Sequence, residues 1–108
     1  MGIGPIPATE KALSLAGLTF EDLDLFEINE AFAVQVLSFT DHFSLPDLDP
    51  RLNPLGGAIA VGHPLAASGA RLFSNLARSF AMNPSARYGL TAMCVGLGMG
   101  GAVIWERL

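Results

Sequence analysis

Two side chains of this sequence, those of His63 and Cys94, are capable of acid–base chemistry. Both lie beside glycine-rich segments, whose backbone is not covered by side chains. His63 lies near the end of the run of residues 56–64 (GGAIAVGHP), and Cys94, the only cysteine, precedes the glycines of residues 96–101. An imidazole exchanges protons near neutral pH, and a thiol can act as a nucleophile, an acid or a base. Unscreened backbone N–H groups can stabilise a developing oxyanion. These residue types predict half of an acyl-transfer site.

Each of the two residues also has an ordinary structural interpretation. A free cysteine in an apolar strand, here residues 90–95, is usually an inert buried hydrophobe. Cys94 differs by position, because it ends its strand just before Gly96, whose N–H can donate to an oxyanion. A lone histidine is usually structural, but glycines before His63 and Pro64 after it hold the ring where the chain must turn. His42 has no such setting and is expected to face solvent.

Asn29 is a third candidate, at the start of residues 29–33 (NEAFA). Asparagine is a favoured N-cap, and Glu30 suits the positive first turn of a helix, so capping is the ordinary interpretation. The functional alternative is that the Asn29 amide also orients a water or a carbonyl at the same helix entrance.

The elements that must position these residues follow from periodicity and from glycine and proline. After an extended segment with Pro5 and Pro7, a first helix is predicted over residues 8–16, ending at Gly17. A short strand is expected over residues 23–28. A second helix is predicted from Glu30 to about Phe39, followed by a surface loop over residues 40–54. The apolar face of the second helix would comprise Phe32, Ala33, Val36 and Leu37.

The second half of the chain predicts one long helix and a hairpin. The helix spans residues 66–81 and is stopped by Pro84. A strand follows over residues 88–95 and returns over residues 102–106 after a glycine turn. The resulting order, α-β-α-(β)-α-β-β, predicts an α/β fold with a layered sheet. Catalytic groups in such sheets gather where strands end and helices begin, and all three candidates lie at such junctions.

Composition limits the possible partners. The net charge is −4 and the six basic residues form no cluster, so nucleic acid is not expected as a ligand. A single cysteine cannot form an internal disulfide, and no leader or membrane-length apolar run is visible, which favours the cytoplasm. The hydrophobic fraction is 51% and the charged fraction only 15%. That excess predicts an apolar face covered by another domain or subunit.

Other cofactor and metal motifs do not apply. Gly96, Gly98 and Gly101 match G-x-G-x-x-G, but only seven residues remain after Gly101, too few for a dinucleotide-binding unit. Two histidines and one cysteine with unrelated spacing do not predict a metal site.

Four ordered motifs together resemble one family, the thiolases. They are residues 29–33, residues 56–64 with 68–71, residues 94–100, and residues 1–8. In that order and spacing they resemble the C-terminal domain of acyl-CoA:acetyl-CoA C-acyltransferases over nearly the whole chain. The resemblance implies a five-layered α-β-α-β-α subunit built of two similar halves. Residues 1–108 would be a single domain, the second half, with a mixed sheet and helices on both faces.

The resemblance also implies a chemistry and a role for each candidate. In such enzymes a cysteine of the first half attacks a 3-ketoacyl-CoA, and a second CoA takes up the acyl group; the reverse reaction is a Claisen condensation. His63 would activate that nucleophile, Asn29 would hold a water of the oxyanion site, Cys94 would be the acid/base, and Gly96 would donate its N–H to a second oxyanion hole. Ala66, Ser68 and Phe32 would contact substrate. Coenzyme A thioester is implied as a substrate, and no separate cofactor is implied.

Two departures qualify this expectation. Ala66 stands where the family pattern normally has glycine, and with Cys94 at the acid/base position no cysteine remains as the nucleophile. The chain is therefore expected to be inactive alone, to need an N-terminal half, and to form a homo-oligomer. Two alternatives stay open: a non-catalytic module that binds an acyl-CoA or a protein, and a remnant that merely dimerises.

Overall fold

Three strands form a mixed sheet in the order β1–β2–β3 in the computed structural model, which describes residues 1–108. The strands are β1 (Leu25–Ile28), β2 (Tyr88–Val95) and β3 (Met99–Glu106). β1 runs parallel to β2, whereas β2 and β3 form an antiparallel hairpin. A parallel pair needs a long crossover, and that crossover carries three of the helices. The hairpin and the range of β2 are confirmed, whereas β1 begins two residues later and β3 three residues earlier than predicted.

Four α-helices surround the sheet: α1 (Pro5–Ala16), α2 (Ala33–His42), α3 (Ala58–Val61) and α4 (Ser68–Met82). A short 3₁₀ turn spans Phe20–Asp22. The helices α1 and α2 cover one face of the sheet, and α4 covers the other. Helices on both faces were predicted, and the α/β class is confirmed. None of the helices combines the length and the apolar character needed to cross a bilayer.

The two faces of β1 account for two separate apolar clusters. Phe26 and Ile28 point toward α1 and α2, where they pack with Leu13 and Phe39. Leu25 points the other way and packs with Leu76 of α4. This alternation is the two-residue period of a strand buried on both sides. Each such buried side chain contributes on the order of 2 kcal/mol of burial free energy.

The first helix begins earlier than predicted. Pro5 is the first residue of α1, so the expected extended segment before residue 8 is wrong. Proline is tolerated there because the first-turn N–H groups have no partner within the helix. The predicted end at Gly17 is confirmed, since Gly17 adopts the left-handed conformation with φ of 68°.

The second helix begins later than predicted and turns a different face inward. It begins at Ala33, so Asn29 is not its N-cap and the capping interpretation is wrong. The buried side consists of Gln35, Phe39 and Thr40. Leu37 is instead 60% exposed, and Phe32 just before the helix is 51% exposed. The face that was predicted to be buried is therefore largely exposed, which is consistent with the expectation that another domain or subunit covers an apolar surface of this chain.

The predicted surface loop after α2 closes one edge of the sheet. Hydrogen bonds join the Phe26 N–H to the Arg51 carbonyl (2.9 Å) and the Asn53 N–H to the Phe26 carbonyl (2.8 Å). The Asn53 side chain accepts from the Ile28 N–H at 2.8 Å and donates to the Ile28 carbonyl at 3.0 Å. The strand in parentheses in the predicted order, between the second helix and the long helix, is not formed: that part of the chain holds α3 and a single isolated bridge between Phe26 and Leu52. By contrast, no backbone hydrogen bond reaches the outer edge of β3.

The start of the chain packs directly on the β2–β3 hairpin. Gly4 and Gly100 approach so closely that a Cβ on either would collide with backbone of the other strand segment: Gly4 with the Met99 carbonyl, and Gly100 with the Gly4 carbonyl. This close approach explains why both positions hold glycine.

Gly100→Ala is therefore expected to destabilise the chain by about 1–3 kcal/mol, because the backbone must move to admit the methyl group. The matched control is Gly101→Ala, the next residue of β3, where a Cβ meets nothing within 4 Å. Urea denaturation of both variants gives the comparison. Equal stabilities for the two variants would contradict the close approach.

A carboxylic acid lies inside the sheet–helix layer. Glu27 is 0% exposed, and neither of its side-chain oxygens has a hydrogen-bond partner. Burial raises the pKa of Glu27 to about 7, although the nearby Asn75 amide and Arg71 guanidinium favour the ionised form; Glu30 adds a small repulsion. The folded chain therefore binds the Glu27 proton more tightly than the unfolded chain does.

This predicts that the stability contributed by Glu27 falls as the pH rises. The Glu27 pKa increases from 4.5 to about 7 on folding, so its contribution to the free energy of unfolding is fully present below pH 4.5 and is lost by about pH 7. The decline is on the order of 3 kcal/mol. Glu27→Gln should remove it and be more stable than the unsubstituted chain at pH 8, in thermal and urea unfolding. The exposed Glu21→Gln serves as control, and a Glu27→Gln variant with an unchanged pH profile would disprove the assignment.

Candidate functional site

A cavity of about 300 Å³ lies where the carboxyl ends of β1 and β2 meet. His63, Cys94, Gly96 and Phe32 line it, although they come from three separate segments of the chain. The remaining lining residues are apolar: Met1, Ala31 and Leu65. Parallel strands bring their carboxyl ends to one edge of the sheet, which is why residues after β1 and at the end of β2 converge here. Four of the seven predicted site residues therefore share one cavity.

Asn29 lies directly behind this cavity and bonds to three elements. Its backbone N–H donates to the Ala92 carbonyl of β2 at 2.8 Å. Its side-chain Oδ1 accepts from Arg71 Nη2 at 3.0 Å, on α4. Its Nδ2 lies 3.3 Å from Nε2 and 3.4 Å from Nδ1 of His63. Asn29 is 0% exposed. Its buried backbone and side-chain groups therefore link β2 to the imidazole of His63.

The His63 ring is held from its other side by Ser68. His63 Nδ1 and Ser68 Oγ are 2.6 Å apart, and the Ser68 hydroxyl donates to the Pro64 carbonyl at 3.1 Å. A hydroxyl has one proton, so Ser68 can then only accept from Nδ1–H. In that arrangement the lone pair is on Nε2. Ser68 is buried and does not line the cavity, so its predicted contact with substrate is not seen in this chain.

The segment before His63 is fixed by Glu30. The Glu30 carboxylate accepts from the Ile59 N–H at 2.9 Å and from Asn53 Nδ2 at 3.1 Å. A Cβ at Gly57 would collide with that carboxylate. Glu30 thus caps the short helix α3 rather than starting α2, which corrects its predicted role. Gly62, with φ of 95°, then turns the chain into His63.

The end of β2 and the β2–β3 turn bring Cys94 and Gly96 to the same cavity. Cys94 is 7% exposed and unpaired, and Gly96 follows at the start of a three-residue connection. Leu97 and Gly98 in that connection have φ of 66° and 80°. Left-handed backbone is costly for leucine, and Leu97 is also 99% exposed. Such local strain is often found at the edges of functional sites.

Two other predicted positions lie outside the cavity. Ala66 is exposed and does not line it, and its φ is not in the left-handed region, so the methyl group fits the turn without strain. The neighbouring Leu65 lines the cavity instead. His42 is exposed, as predicted, and its Nε2 pairs with Glu10 at 2.9 Å.

The contact between Arg71 and Asn29 was not predicted, because the sequence motifs gave Arg71 no role. Arg71 was visible as part of residues 68–71, three positions after Ser68. Residues three apart share a helix face, so a direct reading of α4 could have placed Ser68 and Arg71 toward the same site.

No three histidine, cysteine, aspartate or glutamate side chains come close enough to hold a metal ion. A second, more polar cleft of about 350 Å³ lies at the beginning of β1, beside Asp24 and Arg51. It contains none of the predicted site residues.

Comparison with known proteins agrees with this arrangement. Residues 1–107 match the family described as thiolase, C-terminal domain. The chain is 51% identical over its whole length to the 3-oxoadipyl-CoA/3-oxo-5,6-dehydrosuberyl-CoA thiolase of Escherichia coli K12, of which it covers 27%. It is also similar to the 3-ketoacyl-CoA thiolases of Vibrio vulnificus (51% identical) and Shewanella loihica (52% identical), matching 99% of this chain and 28% of each relative.

The chain therefore spans little more than a quarter of the length of these relatives. The family match extends over nearly all of its residues, and the cavity contains the motifs on which the resemblance rested. The chain belongs to the thiolase family and corresponds to its C-terminal domain.

Proposed function

We propose that this chain is the C-terminal half of a thiolase-type acyl-CoA C-acyltransferase and that it acts with an N-terminal half. The observation that carries the proposal is the cavity lined by His63, Cys94 and Gly96, with the Asn29 amide against the imidazole. The reaction is the cleavage of a 3-ketoacyl-CoA by CoA, or the reverse condensation. The substrates are coenzyme A thioesters, and no further cofactor is required.

The N-terminal half supplies the nucleophilic cysteine, because Cys94 is the only cysteine here. His63 Nε2 takes the proton from that thiol, and the thiolate attacks the ketone carbon of the 3-ketoacyl-CoA. The bond between the α-carbon and the ketone carbon then breaks, and the acyl group stays on the nucleophile. Cys94 gives a proton to the departing acetyl-CoA carbanion, which leaves as acetyl-CoA.

The second half of the reaction uses the same groups in the opposite sense. The Cys94 thiolate accepts the proton of the incoming CoA thiol, and the CoA sulfur attacks the acyl-enzyme. Acyl-CoA is released, and the nucleophile regains its proton from His63. Each proton lost by one group is therefore returned before the next cycle.

Two donors serve the oxygen atoms that become negative. Gly96 lines the cavity together with Cys94 and has no side chain that would screen its N–H, which suits one oxyanion hole. The Asn29 amide together with His63 suits the other, through a water molecule that Asn29 holds. Phe32 and Leu65, which are 51% and 79% exposed, form an apolar rim for the acyl group or the pantetheine arm.

The exposed apolar side chains of the chain support the proposed partners. Val34, Leu37, Ile59, Val61 and Leu97 are all at least 60% exposed. Covering so much apolar surface favours association with an N-terminal half and with further copies.

We place the enzyme in the cytoplasm.

A chimera tests the proposal. The N-terminal three quarters or so of the E. coli relative would be joined to this chain in place of the matching quarter. We expect CoA-dependent cleavage of a 3-ketoacyl-CoA by the chimera and none by the chain alone. His63→Ala and Cys94→Ala should each lower kcat by about 10²–10⁴-fold, since each removes a proton-transfer group. Met93→Leu, beside Cys94 on β2 but outside the cavity, should retain activity.

Other outcomes would replace the proposal by a different one. Full activity of Cys94→Ala would exclude the acid/base role. An inactive chimera, with calorimetric binding of acetyl-CoA by the chain alone, would indicate a binding module. Self-association in sedimentation experiments without such binding would indicate a remnant that only assembles.

Ser68→Ala is expected to lower kcat of the chimera about tenfold with little change in KM. Loss of the hydroxyl leaves Nδ1–H without its acceptor and frees the imidazole to adopt the other tautomer. Ser74→Ala is the matched control, because Ser74 is an exposed serine of α4 whose hydroxyl donates to the carbonyl four residues earlier at 2.8 Å. An equal loss in both variants would attribute the effect to the helix rather than to His63.

A further inference from the structure

The orientation of a buried asparagine amide depends on its neighbours, because its oxygen and nitrogen ends have nearly the same shape. One end accepts hydrogen bonds and the other donates them, so the hydrogen-bond partners decide which way the amide points. For Asn29 the two ends face different elements: one faces α4 and the other faces His63.

Arg71 is the neighbour that makes the two orientations unequal. A guanidinium donates and never accepts, so only the Oδ1 end of Asn29 can face it. The observed contact, Arg71 Nη2 to Oδ1 at 3.0 Å, has this sense. A neutral imidazole does not discriminate in the same way, since it has one donating and one accepting nitrogen.

We propose that Arg71 is a positioning residue for the acyl-transfer site: it fixes the Asn29 amide with the NH₂ group toward the His63 ring. This inference deepens the proposed function and rests on it. A reversed amide would present its Oδ1 lone pairs, in place of N–H donors, to the imidazole and to the water that the proposed function assigns to Asn29. Arg71 itself does not line the cavity, so it does not contact the substrate there.

Asn29 is the one hydrogen-bond acceptor that the Arg71 guanidinium has. Nε and Nη1 of Arg71 are buried without a partner, so the bond to Asn29 is the one side-chain hydrogen bond that the guanidinium makes. The Glu27 carboxyl, also buried without a partner, lies near enough to attract the guanidinium. Charge-assisted bonds in such a site are roughly twice as strong as neutral ones. Losing this bond removes the main reason for one amide orientation.

The amide orientation can be measured directly in the chain alone by NMR. Asn29 Nδ2 is nearly equidistant from both ring nitrogens, so the amide lies over the face of the imidazole and its protons are within nuclear Overhauser range of the His63 ring protons. We expect a nuclear Overhauser cross-peak between the Asn29 side-chain NH₂ and the His63 ring protons. A wild-type spectrum without that cross-peak, or with one from the Asn29 NH₂ to the Arg71 guanidinium protons instead, would overturn the inference without any variant.

Arg71→Met keeps the apolar stem and removes the donor. Its Asn29–His63 cross-peak should fall to roughly half or less, because both amide orientations then become populated. Arg78→Met is the control: Arg78 is exposed on the same helix, makes no side-chain hydrogen bond, and its loss should leave the cross-peak unchanged. An undiminished cross-peak in Arg71→Met would overturn the inference. If Arg71→Met fails to fold, the wild-type measurement still decides.

A catalytic measurement separates this inference from the proposed function. In the chimera, Arg71→Met should lower kcat about tenfold and leave KM within about twofold, because it disturbs a transition-state donor rather than binding. An inactive chimera with the expected cross-peaks would refute the proposed function but leave the amide orientation established. An active chimera in which Arg71→Met changes neither kcat nor the cross-peak would refute the positioning role alone.

Discussion

The buried amide of Asn29 is the interaction on which the arrangement of the site depends. It ties the end of β1 to β2 through the backbone, to α4 through Arg71 and to the His63 loop through Nδ2. Each of these elements carries or supports one part of the cavity, and β2 continues from the Asn29 contact to Cys94. A polar group without solvent must be satisfied from within the protein, so these contacts restrain one another.

Much of the site was predictable because the relevant signals are local. Glycines beside His63 and Cys94 mark backbone that side chains do not cover, and the strand–helix order places both residues at the same edge of a sheet. The strand over residues 88–95 and its return hairpin were equally predictable, since a short apolar run and a glycine turn are short-range features. The sequence also predicted an uncovered apolar surface from composition alone.

The errors concern features that depend on distant contacts. Asn29 and Glu30 have the letters of a helix start, but each bonds to residues more than twenty positions away, and α2 begins only at Ala33. Helical periodicity places Val36 and Leu37 on one face but cannot decide whether that face meets this sheet or another domain. The inward residues of α2 include Gln35, whose amide is buried and unpartnered. The burial of Glu27 was likewise invisible, because a strand covered on both sides has no polar face.

The Asn53 side chain blocks one edge of the sheet, so a further strand can pair only with the other edge. By bonding to both backbone groups of Ile28, it occupies the position that a neighbouring strand would take. The opposite margin, β3, has no such stopper, and its outward N–H and C=O groups remain available as a template. Any additional strand must therefore pair with β3, the strand that contains Trp105. The sheet can thus be extended by strands on one side only.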